Sequence, residues 1–370
     1  MNPPAARVGD TVEAIDTPAL VIDVDAMRRN LARMAAFAAQ HRVRLRPHAK
    51  MHKSATIAKM QIEAGAVGVC VQKVSEAEAL AAGGVADIFI SNQVIASAKL
   101  ARVAALAHQV KLALAVDSGL GVERLAQALS AAGSMLDVFV EIDVGQGRCG
   151  VAATAAGALA HQVVSHGLRF AGLQAYHGRA QHLREPSQRE SAVQHAVNLA
   201  RAAQASITAA GIHCPLVTGA GTGTFGFEAA SGVYGELQAG SYLFMDRDYA
   251  DNQPAAHAPV FEHALFVKSQ VMSRGAAHAV VDAGHKAHAI DSGLPKVWGR
   301  DLVFANGGDE HGILHPRGDA LPALGDTVWL VPGHCDPTVN LHDHYVVLRG
   351  GLEHGSVEAV WPIDARGHLT

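Results

Sequence analysis

The sequence predicts an α/β fold, a (β/α)₈ barrel of TIM type followed by a mainly antiparallel β-domain. Three observations predict it. From residue 44 onward, eight short and nearly continuous apolar runs alternate with Ala-rich segments closed by glycine. Strands of that kind are buried on both faces and run parallel. Eight such units within roughly 200 residues suit a closed barrel better than a doubly wound sheet. Beyond residue 256 the helical pattern fades, and short β-type runs separated by Gly, Pro and Asp replace it.

The elements follow in order. "TPALVIDVDAMRRNLARMAAFAAQH" reads as one extra strand and helix leading into the barrel. The barrel strands are then "RLRPHAK" (44–50), "VGVCVQ" (67–72), "DIFISN" (87–92) and "KLALAVDS" (111–118). "LDVFVEIDV" (136–144), "LRFAGLQAY" (168–176), "PLVTGAG" (215–221) and "ELQAGSYLF" (236–244) complete the set. Intervening stretches such as "KVSEAEALAAGG" are rich in helix formers and end on Gly. The second domain is read from "ALFVKSQVMS", "HAVVDAG", "DTVWLVPG", "HYVVLRGG" and "SVEAVWPI". The expected boundary gives a barrel domain over 1–255 and a β-domain over 256–370.

Composition narrows the classes. Of the 370 residues 49% are hydrophobic and 17% charged, and the formal net charge is -4. Such a chain has no electrostatic footprint for nucleic acid. The cysteines Cys70, Cys149, Cys214 and Cys335 are far apart and form no C-x-x-C, which argues against a disulfide framework. The N-terminus lacks a signal-type apolar core, and no run is long enough to span a bilayer. The expectation is a soluble cytoplasmic enzyme acting on a small molecule.

Chemistry in a barrel sits at the C-terminal ends of the strands. In "RLRPHAKMHKS" (44–54) Lys50 ends the first barrel strand, while Lys53 is expected as a solvated residue of the following helix. A desolvated strand-end lysine can form a Schiff base; a lysine that merely reaches solvent is the plain alternative. "VTGAGTGTF" (217–225) and "LQAGSYLF" (237–244) are Gly-rich after the seventh and eighth strands. Phosphate sites of barrels favour those loops, because glycine lets backbone N–H groups approach an anion. Lysine and loops together point to pyridoxal phosphate. "EIDVGQGRCGV" adds Arg148, placed to hydrogen-bond the phenolate oxygen of that cofactor. "GLQAYHGRAQH" adds Tyr176, which could pack against the ring, and then His177 and His182.

"RPHAKMHK", "DVGQGRCG", "GLQAYHG", "TGAGTG" and "ELQAGSYLFMD" in combination resemble the fold-type III pyridoxal-phosphate enzymes. The match is similar to the D-threonine aldolase branch, related to the D-serine dehydratases and more distantly to alanine racemase. It runs from "TPALVIDVDA" to "VWPIDARG". The resemblance implies a homodimer, Lys50 as the Schiff-base lysine and Arg148 as the phenolate partner. It places the phosphate around Thr222, Gly223, Gly240 and Ser241, with Tyr242 beside them. Gln238 stands where racemases of this fold carry an arginine against the pyridine nitrogen.

"VPGHCDPTVNLHDHYVVL" (331–348) bears on a metal. On an extended segment His334 and Asp336 point the same way and Cys335 the other. The related dehydratases have His-x-Cys there and the aldolases His-x-Asp, so the resemblance implies a divalent ion (Mn²⁺, Co²⁺, Mg²⁺ or Zn²⁺) on His334 and Asp336. His342 and His344 read as strand or turn residues. His182 resembles the proposed aldolase base. The implied reaction is retro-aldol cleavage of a D-3-hydroxy-amino acid of D-threonine type into glycine and an aldehyde. Three rivals stand beside it: a 3-hydroxy-D-aspartate aldolase, a D-3-hydroxyamino-acid dehydratase, and a non-catalytic pyridoxal-phosphate carrier. The carriers lack a β-domain. "GDEHG" (308–312) is either a plain turn or brings Asp309 and His311 near the site.

Overall fold

The computed structural model describes residues 4–256 and 258–370. Eight parallel strands curl into the barrel: β2 (Arg44–Leu45), β3 (Val69–Val71), β4 (Asp87–Ile90), β5 (Lys111–Val116), β6 (Asp137–Glu141), β7 (Arg169–Ala175), β8 (Val217–Gly219) and β9 (Glu236–Leu237). Their order is β2-β9-β8-β7-β6-β5-β4-β3, and a parallel bridge between His48 and Cys70 joins the two ends. All eight expected strands are present, shorter than read. The eighth stops at Leu237, because the chain must then turn over the barrel mouth.

Alternation explains why the strands read as apolar throughout. On β3, Val69 and Val71 face the helical layer, while Cys70 faces inward with Phe89, Ala113, Ala115 and Phe139. Below that small interior layer lies a charged one. Glu236 is fully buried and takes N–H groups of Arg44 and Arg46, and Arg46 also reaches Asp87 at 2.5 Å. Paired guanidiniums make this burial of a carboxylate tolerable.

The lead-in strand β1 (Ala19–Asp23) is not part of the barrel. It pairs antiparallel with β10 (Leu265–Arg274) and parallel with β16 (His344–Arg349), in the middle of the second sheet. "ALVI" is buried on both faces, between the helix Val24–His41 on one side and the cluster around Ile15 and Val357 on the other. Its apolar run therefore suits an interior strand of either sheet, and only pairing decides. The remaining strands, β11 (Ala279–Val281), β12 (Lys296–Val297), β13 (Leu302–Asn306), β14 (Gly312–Pro316), β15 (Thr327–Val331) and β17 (Ser356–Pro362), pair antiparallel; β12, β13 and β14 lie outside the runs read from the sequence.

Candidate active site

Lys50 lies just past the last bridge of the first barrel strand, in a single 3₁₀ turn over Ala49–Met51. That turn crosses the segment after β9: a Cβ on Gly240 would stand 2.6 Å from the carbonyl oxygen of His48. Glycine at 240 therefore lets the Lys50 turn and the β9 loop meet. Between them opens a cavity of about 240 Å³ lined by His48, Lys50, Arg148, Tyr176, Thr222 and Ser241, with Gln174 and Gln238 also in its wall.

The loop carrying Arg148 is shaped by its own sequence. Asp143 accepts the backbone N–H groups of Gly145 (2.9 Å) and Gly147 (3.0 Å), and Asp117 accepts that of Gly150. The guanidinium then sits 5.8 Å from the centre of the Tyr176 ring, a cation–π distance. Across the cavity, Thr222 Oγ1 accepts the Tyr242 N–H at 3.0 Å and ties the two Gly-rich loops together. The N–H groups of Gly221, Thr222, Gly240 and Ser241 have no acceptor among the described residues, so the loops present a cradle for an anion. These donors, a terminal amine and a cation over an aromatic ring fit a phosphate-bearing pyridine aldehyde.

Two expected cradle residues lie elsewhere. The Tyr242 side chain is fully buried in the core and accepts from Gln61, so only its backbone serves the loop. Gly223 donates its N–H to Gln181 Oε1 at 2.9 Å and lines a neighbouring cavity. Lys53 is not solvated either. It is buried, ion-paired to Glu76 at 2.7 Å, and reaches the carbonyl oxygen of Ala365.

Opposite the cradle, the second domain supplies His334 and Asp336. The segment is the start of a short helix, Cys335–Val339, rather than an extended strand. Pro337 is accommodated there because a first turn needs no proline N–H. The pair still converge: His334 Nε2 and Asp336 Oδ1 are 3.6 Å apart, while Cys335 is buried on the other side. Lys50 Nζ contacts Asp336 Oδ2. Burial alone would lift the Asp336 pKa, but the Lys50 and His334 charges hold it at about 2. Burial likewise opposes the charge on Lys50, yet Asp336 keeps its ammonium above the ordinary lysine value.

Asp336 Oδ1 is buried without a hydrogen-bond partner, and His334 Nδ1 bonds Asp246 Oδ2 at 2.8 Å. A histidine whose second nitrogen is held by a carboxylate is the usual arrangement of a metal ligand. Two donors aimed at one point fit a divalent cation that keeps water on its other positions. Among the described residues no group of three or more His, Cys, Asp or Glu is placed to hold a metal ion, so a cation at this pair would take its remaining ligands from water or substrate.

His182 sits outside the cavity wall. Its Nδ1 is 2.7 Å from Asp248, and its ring packs on Tyr249, which in turn packs 6.3 Å from the His334 ring. Burial raises the Asp248 pKa, but His182 and Arg184 outweigh it and bring it to about 2. His342 bonds the carbonyl oxygen of Ala287, and His344 opens β16. Asp309 pairs with His285 and Lys286 on an exposed turn. Sequence reasoning missed His48, Gln72, Ser91 and Gln174 in the wall, and Asp246 behind His334. For Asp246 the signal was present in "SYLFMDRDY", where two aspartates follow a strand end.

Comparison with known proteins agrees with this architecture. Residues 22–248 match the alanine racemase N-terminal domain, and residues 264–348 match the serine dehydratase-type domain. The chain is 46% identical to a D-threonine aldolase of an Arthrobacter species, covering 99% of this chain and 96% of the relative. It is 43% identical to a 3-hydroxy-D-aspartate aldolase of Paracoccus denitrificans, covering 95% and 92%. Among solved structures, a D-threonine aldolase from Filomicrobium marinum matches with a TM-score of 0.96 at 46% identity, over 99% of this chain and 100% of that one. With a cavity built for pyridoxal phosphate and relatives of this closeness, the chain belongs to the alanine racemase-like enzymes, in the branch of the D-threonine and 3-hydroxy-D-aspartate aldolases, and is a carbon–carbon lyase.

Proposed function

We propose that the enzyme cleaves D-3-hydroxy-amino acids of D-threonine type into glycine and an aldehyde, with a divalent ion held by His334 and Asp336. The observation that carries this reading is the meeting of Lys50 Nζ with Asp336, whose other oxygen is buried and unpartnered beside His334 Nε2. Pyridoxal phosphate, held by Lys50, supplies the electron sink for the Cα–Cβ bond. A divalent ion (Mn²⁺, Co²⁺, Mg²⁺ or Zn²⁺ by its His/carboxylate/water shell) supplies Lewis acidity beside it.

The chain's own residues do the rest. Thr222, Gly240 and Ser241 would hold the phosphate, and Arg148 would hydrogen-bond the phenolate oxygen. Tyr176, packed under that guanidinium, closes one side of the cavity. Asp246 fixes the His334 ring so that Nε2 looks toward Asp336. His182, outside the cavity wall but packed on Tyr249 beside His334, takes up the 3-hydroxyl proton at Nε2 directly or through a water, while Asp248 holds Nδ1 and balances the charge gained. The resemblance further implies a homodimer, and the composition leads us to expect it in the cytoplasm.

Product analysis tests the reading. D-threonine should give glycine and acetaldehyde, and the rate should fall on chelation. Glyoxylate released faster from 3-hydroxy-D-aspartate would move the substrate to that relative's. Keto acid and ammonia would make the enzyme a dehydratase.

A further inference from the structure

Two glutamines, Gln174 and Gln238, form one side of the cavity wall, which His48, Gln72 and Ser91 also line. Gln238 Nε2 donates to Gln174 Oε1 at 2.7 Å, and Gln174 Nε2 donates back to Gln238 Oε1 at 3.1 Å. Gln238 Nε2 also donates to Thr218 Oγ1 at 2.8 Å. All three side chains are buried. An amide can be turned either way, so the question is what fixes this orientation.

Glu236 answers it. Its oxygens take guanidinium N–H groups, Oε2 from Arg44 at 3.0 Å and Oε1 from Arg46 at 3.1 Å. Guanidinium groups have only donors, so both oxygens accept. Thr218 Oγ1 lies 3.0 Å from Glu236 Oε1 and must spend its single proton there. Only lone pairs remain on Oγ1, and Gln238 must therefore present its NH₂ to Thr218. The Gln238 amide has then committed both protons. Its partner Gln174 has committed one, and keeps one N–H with no acceptor among the described residues.

In pyridoxal phosphate the ring nitrogen lies para to the carbon that carries the aldehyde. With that carbon at Lys50, the phosphate in the cradle and the phenolate edge at Arg148, the nitrogen would lie across the cavity from Lys50, toward the glutamine pair. We propose that Glu236, acting through Thr218, is a positioning residue that locks the glutamine pair, so that Gln174 Nε2 offers one neutral N–H to an unprotonated ring nitrogen. This deepens the reading above and rests on pyridoxal phosphate being the cofactor. A wall with no acid in it does not protonate the ring.

The test uses holoenzyme reconstituted with ring-¹⁵N-labelled pyridoxal phosphate. The nitrogen shift is read by NMR, and cofactor affinity by visible absorbance. Wild type should show the shift of an unprotonated pyridine from pH 6 to 9. Thr218→Val should move that signal and weaken cofactor binding roughly five- to tenfold, the scale of one lost hydrogen bond; Thr218→Ser should restore both. Gln174→Glu, which needs no repacking at Thr218, should carry the signal to the protonated range. A protonated ring in wild type, an unmoved signal in Gln174→Glu, or a Thr218→Ser variant as impaired as Thr218→Val would each overturn the proposal. Failure of wild type to take up the cofactor at all would instead overturn the reading on which it rests.

Discussion

Lys50 and Lys53 lie three positions apart, the first part-exposed at a cavity and the second buried, and their surroundings assign them opposite tasks. Lys50 Nζ faces a cavity and meets a carboxylate that a cation or substrate can claim; Lys53 Nζ is spent on Glu76 and Ala365. Lys50→Ala should abolish the visible absorbance of bound pyridoxal phosphate, whereas Lys53→Ala should keep it while lowering thermal stability. Absorption spectra and melting curves of the two variants check this. His182 provides a second comparison at this scale. If its Nε2 takes the hydroxyl proton, His182→Ala lowers kcat by about 10²–10⁴-fold. Cofactor and metal content, and Cα-proton exchange of a simple D-amino acid, should change far less. An equal loss of cleavage and exchange would make His182 a positioning group.

Among the elements, the turn after Lys50 is the bolt between the two domains. Lys53 holds a left-handed φ of 52°, a costly conformation for a lysine unless its surroundings impose it. They do: Ala365 donates to the Lys53 carbonyl, Tyr345 to the His52 carbonyl at 2.6 Å, and Ala55 to Asp364 at 2.7 Å. The helix Phe225–Ala230, which follows the cradle, carries a different tension. Glu228 is buried, its Oε1 accepts from Thr224 at 2.7 Å, and its Oε2 has no partner. Burial pushes its pKa up to about 7. A carboxyl raised above its unfolded value contributes fully at acidic pH, and that contribution is lost as pH rises from about 4.5 through 7. Wild-type stability should thus fall between pH 5 and pH 8 by roughly 2–3 kcal/mol more than that of Glu228→Gln. Denaturant unfolding at the two pH values measures the difference.

For the whole molecule, the site is a joint product of two domains. The barrel supplies Lys50, Arg148, Tyr176 and the cradle; the β-sheet domain supplies His334 and Asp336; Asp246, just past the last barrel strand, links them through His334. On the proposed reading, cofactor and cation would be held by different elements. Chelation, or Asp336→Ala, should remove aldolase turnover while pyridoxal phosphate stays bound, as activity assays with parallel absorption spectra would show. A metal-free protein that turns over at the normal rate would make His334 and Asp336 a plain ion pair.

What could be read from the sequence is what a few consecutive residues encode. Eight apolar runs separated by Gly-closed helices determined the barrel, and strand-end positions picked out Lys50, Arg148, Tyr176 and the Gly-rich loops. The i, i+2 spacing of His334 and Asp336 survived even though the segment is helical. Tertiary structure decided everything that depends on a partner far along the chain. β1 joined the second sheet because its strand partners lie beyond residue 264, and an apolar run does not name its neighbour. Lys53 was buried by a carbonyl 312 residues away. The Tyr242 side chain turned to the core because Gln61 and the apolar cluster lay on that side. Gln174 gained its place in the wall from Gln238, and Gln238 its orientation from Thr218 and a carboxylate at the barrel floor. Local periodicity is written into each segment; the pairing of strands and the satisfaction of buried polar groups are properties of the closed barrel and its docked sheet alone.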